Sequence, residues 1–321
     1  MAIFQTIIVP LDGSHLAETA IPMATTLSRV TGAEMILLQV LEEMRPIYDA
    51  EYREVIWLEP ANPRLELLAP EILKPAVTRL ANRGIPVQTV IRLGDPSAEI
   101  IDEAVRHPVP AEIIDEAARH PVPVVVLASH GRGGLRRMLL GSVATRLVEA
   151  AACPVLIIRT RNAGQDPEPV TLQSIVVPLD GSTLAEQALA VAVPLAQAAG
   201  AALHLVRVAE IYQEEPLTDT ELLTTPIAKP TLELFERLEN QAREYLTTIA
   251  ERLEQESLQV TWEVLSGDPG RELLDYADRE RPDLMVITTH GRGGLSRWFY
   301  GSIADKVLTA SAIPVLLIRA R

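Results

Sequence analysis

The sequence predicts two successive α/β domains, each a doubly wound, five-stranded parallel sheet with helices on both faces. Three observations lead there. The chain has 321 residues, about twice the length of an ordinary domain. Hydrophobic residues make up 48% of it and aromatics only 4%, so the cores must be built from Ala, Val, Leu and Ile, which suits buried parallel strands under Ala-rich helices. And the chain repeats itself: residues 6–14 read Thr-Ile-Ile-Val-Pro-Leu-Asp-Gly-Ser and residues 174–182 read Ser-Ile-Val-Val-Pro-Leu-Asp-Gly-Ser, with Asp180 standing 168 positions after Asp12.

Between the landmarks, short β-branched runs alternate with longer Ala/Leu/Glu-rich stretches, the pattern of βαβ units. Strands are expected at 4–9, 34–41, 87–92, 123–129 and 154–159, and again at 173–178, 202–209, 259–265, 283–289 and 314–319. Long helices are expected at 63–83 and 229–256, before the third strand of each half. Segments 42–62 and 210–228 carry prolines and many polar residues and read as flexible lids; they differ most between the halves, so any asymmetry in ligand choice would originate there. The stretch 161–170, with Gly164, Pro167 and Pro169, reads as a linker between domains at 1–161 and 171–321.

One irregularity breaks the symmetry. Residues 99–110 read Glu-Ile-Ile-Asp-Glu-Ala-Val-Arg-His-Pro-Val-Pro, and 112–123 repeat them with one change, Val105 becoming Ala118. This 13-residue shift within 99–123 accounts for spacing, since Gly94 to His130 spans 36 positions against 23 from Gly267 to His290. Each copy ends in Pro-Val-Pro, which opposes one continuous helix through both. Two short helices or one extruded loop are expected, as surface slippage without a role.

The net charge of −14, spread rather than clustered, argues against a surface that neutralises nucleic acid or anionic lipid. The single cysteine, Cys153, excludes an intramolecular disulfide, and its Ala-Cys-Pro-Val setting suggests a small core residue. The N-terminus lacks the basic start and apolar run of a signal peptide, and no stretch reaches roughly 18 uninterrupted apolar residues, so the expected location is the cytoplasm, away from membranes.

Two elements can carry chemistry. A strand ending in Pro-Leu-Asp-Gly-Ser places Asp12 and Asp180 at the carboxyl end of each sheet, where doubly wound folds bind ligands; a carboxylate there can accept hydrogen bonds from a ribose or an adenine edge. Asp and Ser are equally what a helix cap requires. In the second element a strand runs into His130-Gly-Arg-Gly-Gly-Leu135 and, with nine residues intervening after Gly131, into Gly141-Ser142 at a helix start. The other half repeats this with His290-Gly-Arg-Gly-Gly-Leu295 and Gly301-Ser302. Glycine lets backbone approach a phosphate, and a helix start offers free amides and a positive dipole end. The alternative is a tight connection needing glycine only for its conformation. His130 and His290 each stand alone, without a second ligand at metal spacing, and read as structural or ligand-orienting. Arg132 and Arg292 could reach phosphate oxygens or be solvated.

On these motifs the chain resembles a tandem universal stress protein along nearly all of both halves. The resemblance implies two Rossmann-like, adenine nucleotide alpha hydrolase-like domains with strand order 3-2-1-4-5. Nucleotide-binding members of that family carry Gly-x2-Gly-x9-Gly-Ser/Thr. Carried over by position, this implies nucleotide contacts at Pro10, Leu11, Asp12, Val40, Ala128, Gly131, Arg132, Gly141, Ser142 and Val143. In the other half it implies Pro178, Leu179, Asp180, Val208, Thr288, Gly291, Arg292, Gly301, Ser302 and Ile303. Ala128 and Thr288 depart from the motif, standing where it has its first glycine and placing a Cβ where a ribose or phosphate would pack.

The expected function is therefore a stress-response protein that binds ATP or AMP in one or both domains, with magnesium held by the phosphates, and is regulatory with at most slow hydrolysis. Neither a Ser-Gly-Gly-x-Asp-Ser pyrophosphatase loop nor a Walker-type Gly-x4-Gly-Lys-Ser/Thr is present. The alternative is a nucleotide-free scaffold acting through protein contacts. The resemblance further implies that the two halves pair as a pseudo-dimer through their final strands, with a homodimer as a further expectation.

Overall fold

The computed structural model describes residues 3–41, 47–49, 54–56, 63–107, 122–130, 140–160, 170–210, 228–289 and 301–319. The chain divides into two compact units, Met1–Val170 and Thr171–Arg321.

In the first unit β1 (Phe4–Pro10), β2 (Glu34–Leu41), β5 (Val87–Leu93), β6 (Val122–His130) and β7 (Val155–Thr160) form a parallel array in the order β5-β2-β1-β6-β7. Counted along these five strands, that is 3-2-1-4-5. Ile7, Ile8 and Val9 are buried on both faces of β1, as are Met35 to Leu38 in β2, so the strands read as continuous apolar runs rather than alternating ones. Helices α1 (His15–Glu18) and α2 (Ile21–Thr31) follow β1, α3 (Pro63–Ala81) precedes β5, α4 (Pro96–Arg106) joins β5 to β6, and α5 (Ser142–Ala150) leads into β7. A single helix after β1 is not what forms: the chain breaks at Thr19 and Ala20, and Pro22, which has no backbone donor, opens α2. Helix α3 runs through Pro70 and Pro75.

The second unit repeats the plan with β8 (Ser174–Pro178), β9 (Ala202–Glu210), β10 (Val260–Gly267), β11 (Leu284–Thr289) and β12 (Val315–Arg319) in the order β10-β9-β8-β11-β12. Its helices are α6 (Thr183–Glu186), α7 (Leu189–Ala199), α8 (Ala228–Glu254), α9 (Pro269–Glu280) and α10 (Ser302–Ala310). All ten strands lie within two residues of their expected positions.

The first unit adds a small antiparallel ladder, β3 (Ile47–Asp49) with β4 (Glu54–Ile56), inside the segment expected as a lid. The remainder of that segment, the stretch 211–227, the linker at 161–169 and residues 108–121 of the duplication lie outside the described residues. Of the duplication, the first copy is helical to Arg106. Cys153 is buried, as its sequence setting predicts. Among the described residues no helix is long and apolar enough to cross a membrane.

A cleft at the carboxyl end of the second sheet

The candidate site is clearest in the second unit. Strand β8 ends at Pro178, and Leu179 continues the ladder by donating its amide to Val206 O at 2.8 Å. The chain then turns sharply: Ser182 N donates to Asp180 Oδ1 at 2.8 Å, and Gly181 takes φ +89°, a conformation that favours glycine. Ser182 Oγ accepts from Ala185 N at 3.0 Å and caps α6. The serine is thus the cap, while the aspartate closes the turn and stays exposed. The first unit repeats this at Ser14 N to Asp12 Oδ1, 2.8 Å, with Gly13 at φ +81° and Ser14 capping α1.

A cavity of about 260 Å³ opens beside this turn. Pro178, Leu179 and Asp180 line it from β8 and its end, Val208 from β9, Thr288 from β11, and Gly301, Ser302 and Ile303 from the start of α10. Eight of the residues expected from sequence are thereby brought together. Others line the cavity without having been anticipated: Val206 and Glu210 flank Val208 at the two-residue period of β9, Leu184 and Ala185 follow the Ser182 cap, Pro269 and Leu273 stand one turn apart on α9, and Ile287 and Ala304 adjoin expected residues. The period of β9 could have revealed the first pair. The α9 pair depends on how that helix crosses the sheet.

The lining is chiefly apolar, with two carboxylates, Asp180 and Glu210, and no cation among its described residues. Lys306, one turn into α10, is turned aside: its Nζ donates to Asp268 Oδ1 at 2.6 Å. Asp268 also caps α9, accepting from Arg271 N at 2.8 Å, and these hydrogen bonds, Lys306 first, hold its carboxyl below the ordinary range. Gly301, the N-cap of α10, has no side-chain capping bond, and among the described residues nothing caps the first-turn amides.

On the opposite side of β9, Arg207 lies 4.9 Å over the Tyr245 ring of α8, and Tyr245 donates its hydroxyl to Glu186 Oε1 at 3.0 Å. An added Cβ on Gly181 would stand 3.1 Å from Arg207 Nη1, so this cluster supports the Asp180 turn from behind.

In the first unit the expected residues occupy corresponding places. Pro10 ends β1, Leu11 N donates to Leu38 O at 2.8 Å, Asp12 is exposed, and Val40 sits on β2 opposite Arg92 of β5. Ala128 lies half-buried in β6 opposite Ile158; Gly141 is the N-cap of α5, with Ser142 exposed and Val143 half-buried behind it. The cation of α5 is tied as in the other unit, Arg146 Nη1 donating to Asp95 Oδ2 at 2.8 Å. Gly131, Arg132, Gly291, Arg292 and His290, and the side chain of His130, lie outside the described residues. Among the described residues no three His, Cys, Asp or Glu side chains are grouped to hold a metal.

The model of the Universal stress protein family matches residues 3–109, 103–159 and 171–319. Universal stress protein Rv2005c of Mycobacterium tuberculosis is 33% identical over 195 residues, covering 60% of this chain and 61% of that protein; the chain thus aligns with about three-fifths of that relative's length. Universal stress protein YxiE of Bacillus subtilis is 26% identical over 160 residues, 49% of this chain and 99% of the relative. Among solved structures, a universal stress protein from Archaeoglobus fulgidus shares the fold with a TM-score of 0.67 at 18% identity, over 98% of both chains.

Proposed function

Since the chain belongs to the universal stress protein family and carries its domain in tandem, we propose that it is a regulatory protein binding an adenine nucleotide, ATP or AMP, in one or both domains. The observation that supports this reading is the cleft of the second domain, which gathers the ends of β8 and β9, the body of β11 and the bare start of α10 around one cavity.

The two ends of the cleft differ in chemistry. At one end, Asp180 and Glu210 among apolar walls suit the hydroxyls of a ribose and the edge of a base, and would repel phosphate. At the other, Gly301 and the first-turn amides of Ser302 to Ala304, uncapped among the described residues, suit phosphate oxygens together with the Ser302 hydroxyl. A cavity of about 260 Å³ is close to the lower end of the roughly 300–1,000 Å³ of ligand clefts and favours a mononucleotide over a dinucleotide. Magnesium, where present, would be carried by the phosphates. Thr288 lines the cleft where the family motif has its first glycine, so the wall there is built with a β-branched residue. Regulation, rather than turnover, is proposed because the sequence carries neither the pyrophosphatase loop nor a Walker-type loop.

The test is the nucleotide content of purified protein after denaturation, by mass spectrometry, followed by calorimetric titration of ATP and AMP with and without magnesium. Binding that is weakened by Asp180→Ala and by Asp12→Ala separately supports the reading and counts the sites. Neither bound nucleotide nor titration heat would leave the cleft as architecture and the scaffold as the function.

A further inference from the structure

Helix α4 contains the first copy of the duplicated segment, and its packing defines what the position demands. Ile100, Glu103 and Ala104 are buried there. Glu103 Oε2 accepts from Arg92 Nε at 3.0 Å and Nη2 at 2.6 Å, and His107 Nε2 lies 3.4 Å from Oε1. In the second domain these places are apolar: Leu265 stands opposite Val208 as Arg92 stands opposite Val40, and Tyr276 is the eighth residue of α9 as Glu103 is of α4. The α4 seat therefore requires a carboxylate where its counterpart takes a tyrosine.

The second copy supplies the same side chains at the same spacing: Ile113, Glu116, Ala117 and His120. The one difference between copies falls where the seat is indifferent, since Val105, replaced by Ala118, is 60% exposed. The family model also matches the first half in two pieces, 3–109 reaching into the first copy and 103–159 containing all of the second. The approaches differ. The first copy is entered through the Asp95 cap, with Ser97 Oγ donating to Asp95 Oδ1; Pro108 and Pro110 hold the matching places before the second. The second copy in turn leads directly into β6, whereas the first reaches β6 only through 13 further residues.

We propose that the two copies compete for the single α4 seat. With the first copy seated, the 13 surplus residues follow α4, at the amino end of the strands. With the second copy seated they fall between β5 and α4, at the carboxyl end, where Asp12, Val40 and Gly141 lie. Exchange thus carries a segment from the far end of the first domain to the end that bears its candidate site, and it requires no ligand.

Glu103→Gln, Glu116→Gln and the double variant test this in the full chain, by hydrogen–deuterium exchange and by denaturation of the first domain; the Val105/Ala118 difference separates the two peptides by mass. Glu103→Gln removes the charge that faces Arg92. Because Arg92 is 28% exposed, the expected shift towards the second copy is on the order of tenfold to a hundredfold. Amide protection then moves from 100–106 to 113–119 with little change in midpoint, Glu116→Gln keeps it at 100–106, and the double variant loses more than the two singles together. The proposal is overturned if Glu103→Gln lowers the midpoint as far as the double variant and 113–119 gains no protection. Should the double variant not fold, the transfer of protection in Glu103→Gln alone decides.

Discussion

Gly141 and Gly301 hold the same place in the repeated motif but not the same backbone, and replacing each by alanine separates fold from ligand. Gly141 has φ −58°, and a Cβ built on it meets nothing within 4 Å. Alanine there is unstrained and restricts the unfolded chain, a gain of about 0.4–1 kcal/mol. Gly301 has φ 86° and ψ 131°, a region nearly closed to L side chains, where occupancy costs about 1–3 kcal/mol. Offset by the same unfolded-state gain, Gly301→Ala should lose about 1–2 kcal/mol. In a domain of this size, 1 kcal/mol moves the midpoint by about 2–4 °C. Calorimetric melting of nucleotide-free protein should therefore show the second-domain transition falling by roughly 2–8 °C in Gly301→Ala, and the first-domain transition level or higher in Gly141→Ala. Equal losses in both variants, or none in Gly301→Ala, would refute the conformational argument. Because Gly141→Ala keeps its fold, any loss of nucleotide there reports close backbone approach alone.

The remaining predictions concern single groups. Asp95 is held down to about 2, first by the Ser97 hydroxyl, then by the Ala98 amide and Arg146. A depressed folded value means its contribution is complete above the ordinary aspartate value of about 3.8 and is lost as pH falls towards about 2. Asp95→Asn should therefore flatten the acid limb of a melting-against-pH curve in that window, and an unchanged limb would count against the pairing. Burial pushes the Cys153 thiol up to about 11, so a thiol reagent at pH 8 should label it only in denaturant; rapid labelling of the native protein would contradict its burial. Tyr245→Phe removes the hydroxyl that Glu186 accepts and should destabilise the second domain by about 0.5–1.5 kcal/mol in urea, with a neutral result showing that solvent replaces the bond.

How much of this was readable in advance depends on the range over which each feature is determined. The strands were readable because burial on both faces forces unbroken β-branched runs, as in Ile7 to Val9 and Val124 to Leu127. The turn at Asp180-Gly181-Ser182 was readable because its bonds span two or three residues. The β3–β4 ladder was not, since two three-residue strands among prolines carry too little periodicity. Nor was the burial of Glu103: a glutamate on a helix reads as solvated until Arg92, from the preceding strand, is seen to meet it. Leu184 and Ala185 line the cleft from the short helix that Ser182 caps, a placement that depends on how α6 sits over the sheet and not on any local motif.

The two domains keep some corresponding features and replace others. At the carboxyl ends the duplicated parts coincide in detail: the aspartate turn, the tie from Asp95 to Arg146 and from Asp268 to Lys306, and the glycines at 94 and 267, where a Cβ would fall 2.9 and 2.8 Å from Glu99 and Glu272. Behind the turn, corresponding positions have diverged. Gln39 is buried with its Oε1 lacking a partner among the described residues, where Arg207 stacks on Tyr245; Glu18 pairs with Arg79, where Glu186 takes the tyrosine hydroxyl. At the carboxyl ends the two halves thus keep the same turn, the same tie and the same glycine contact, while the side chains that back them, Arg207 with Tyr245 and Glu186 in one half and Gln39, Glu18 and Arg79 in the other, have been exchanged.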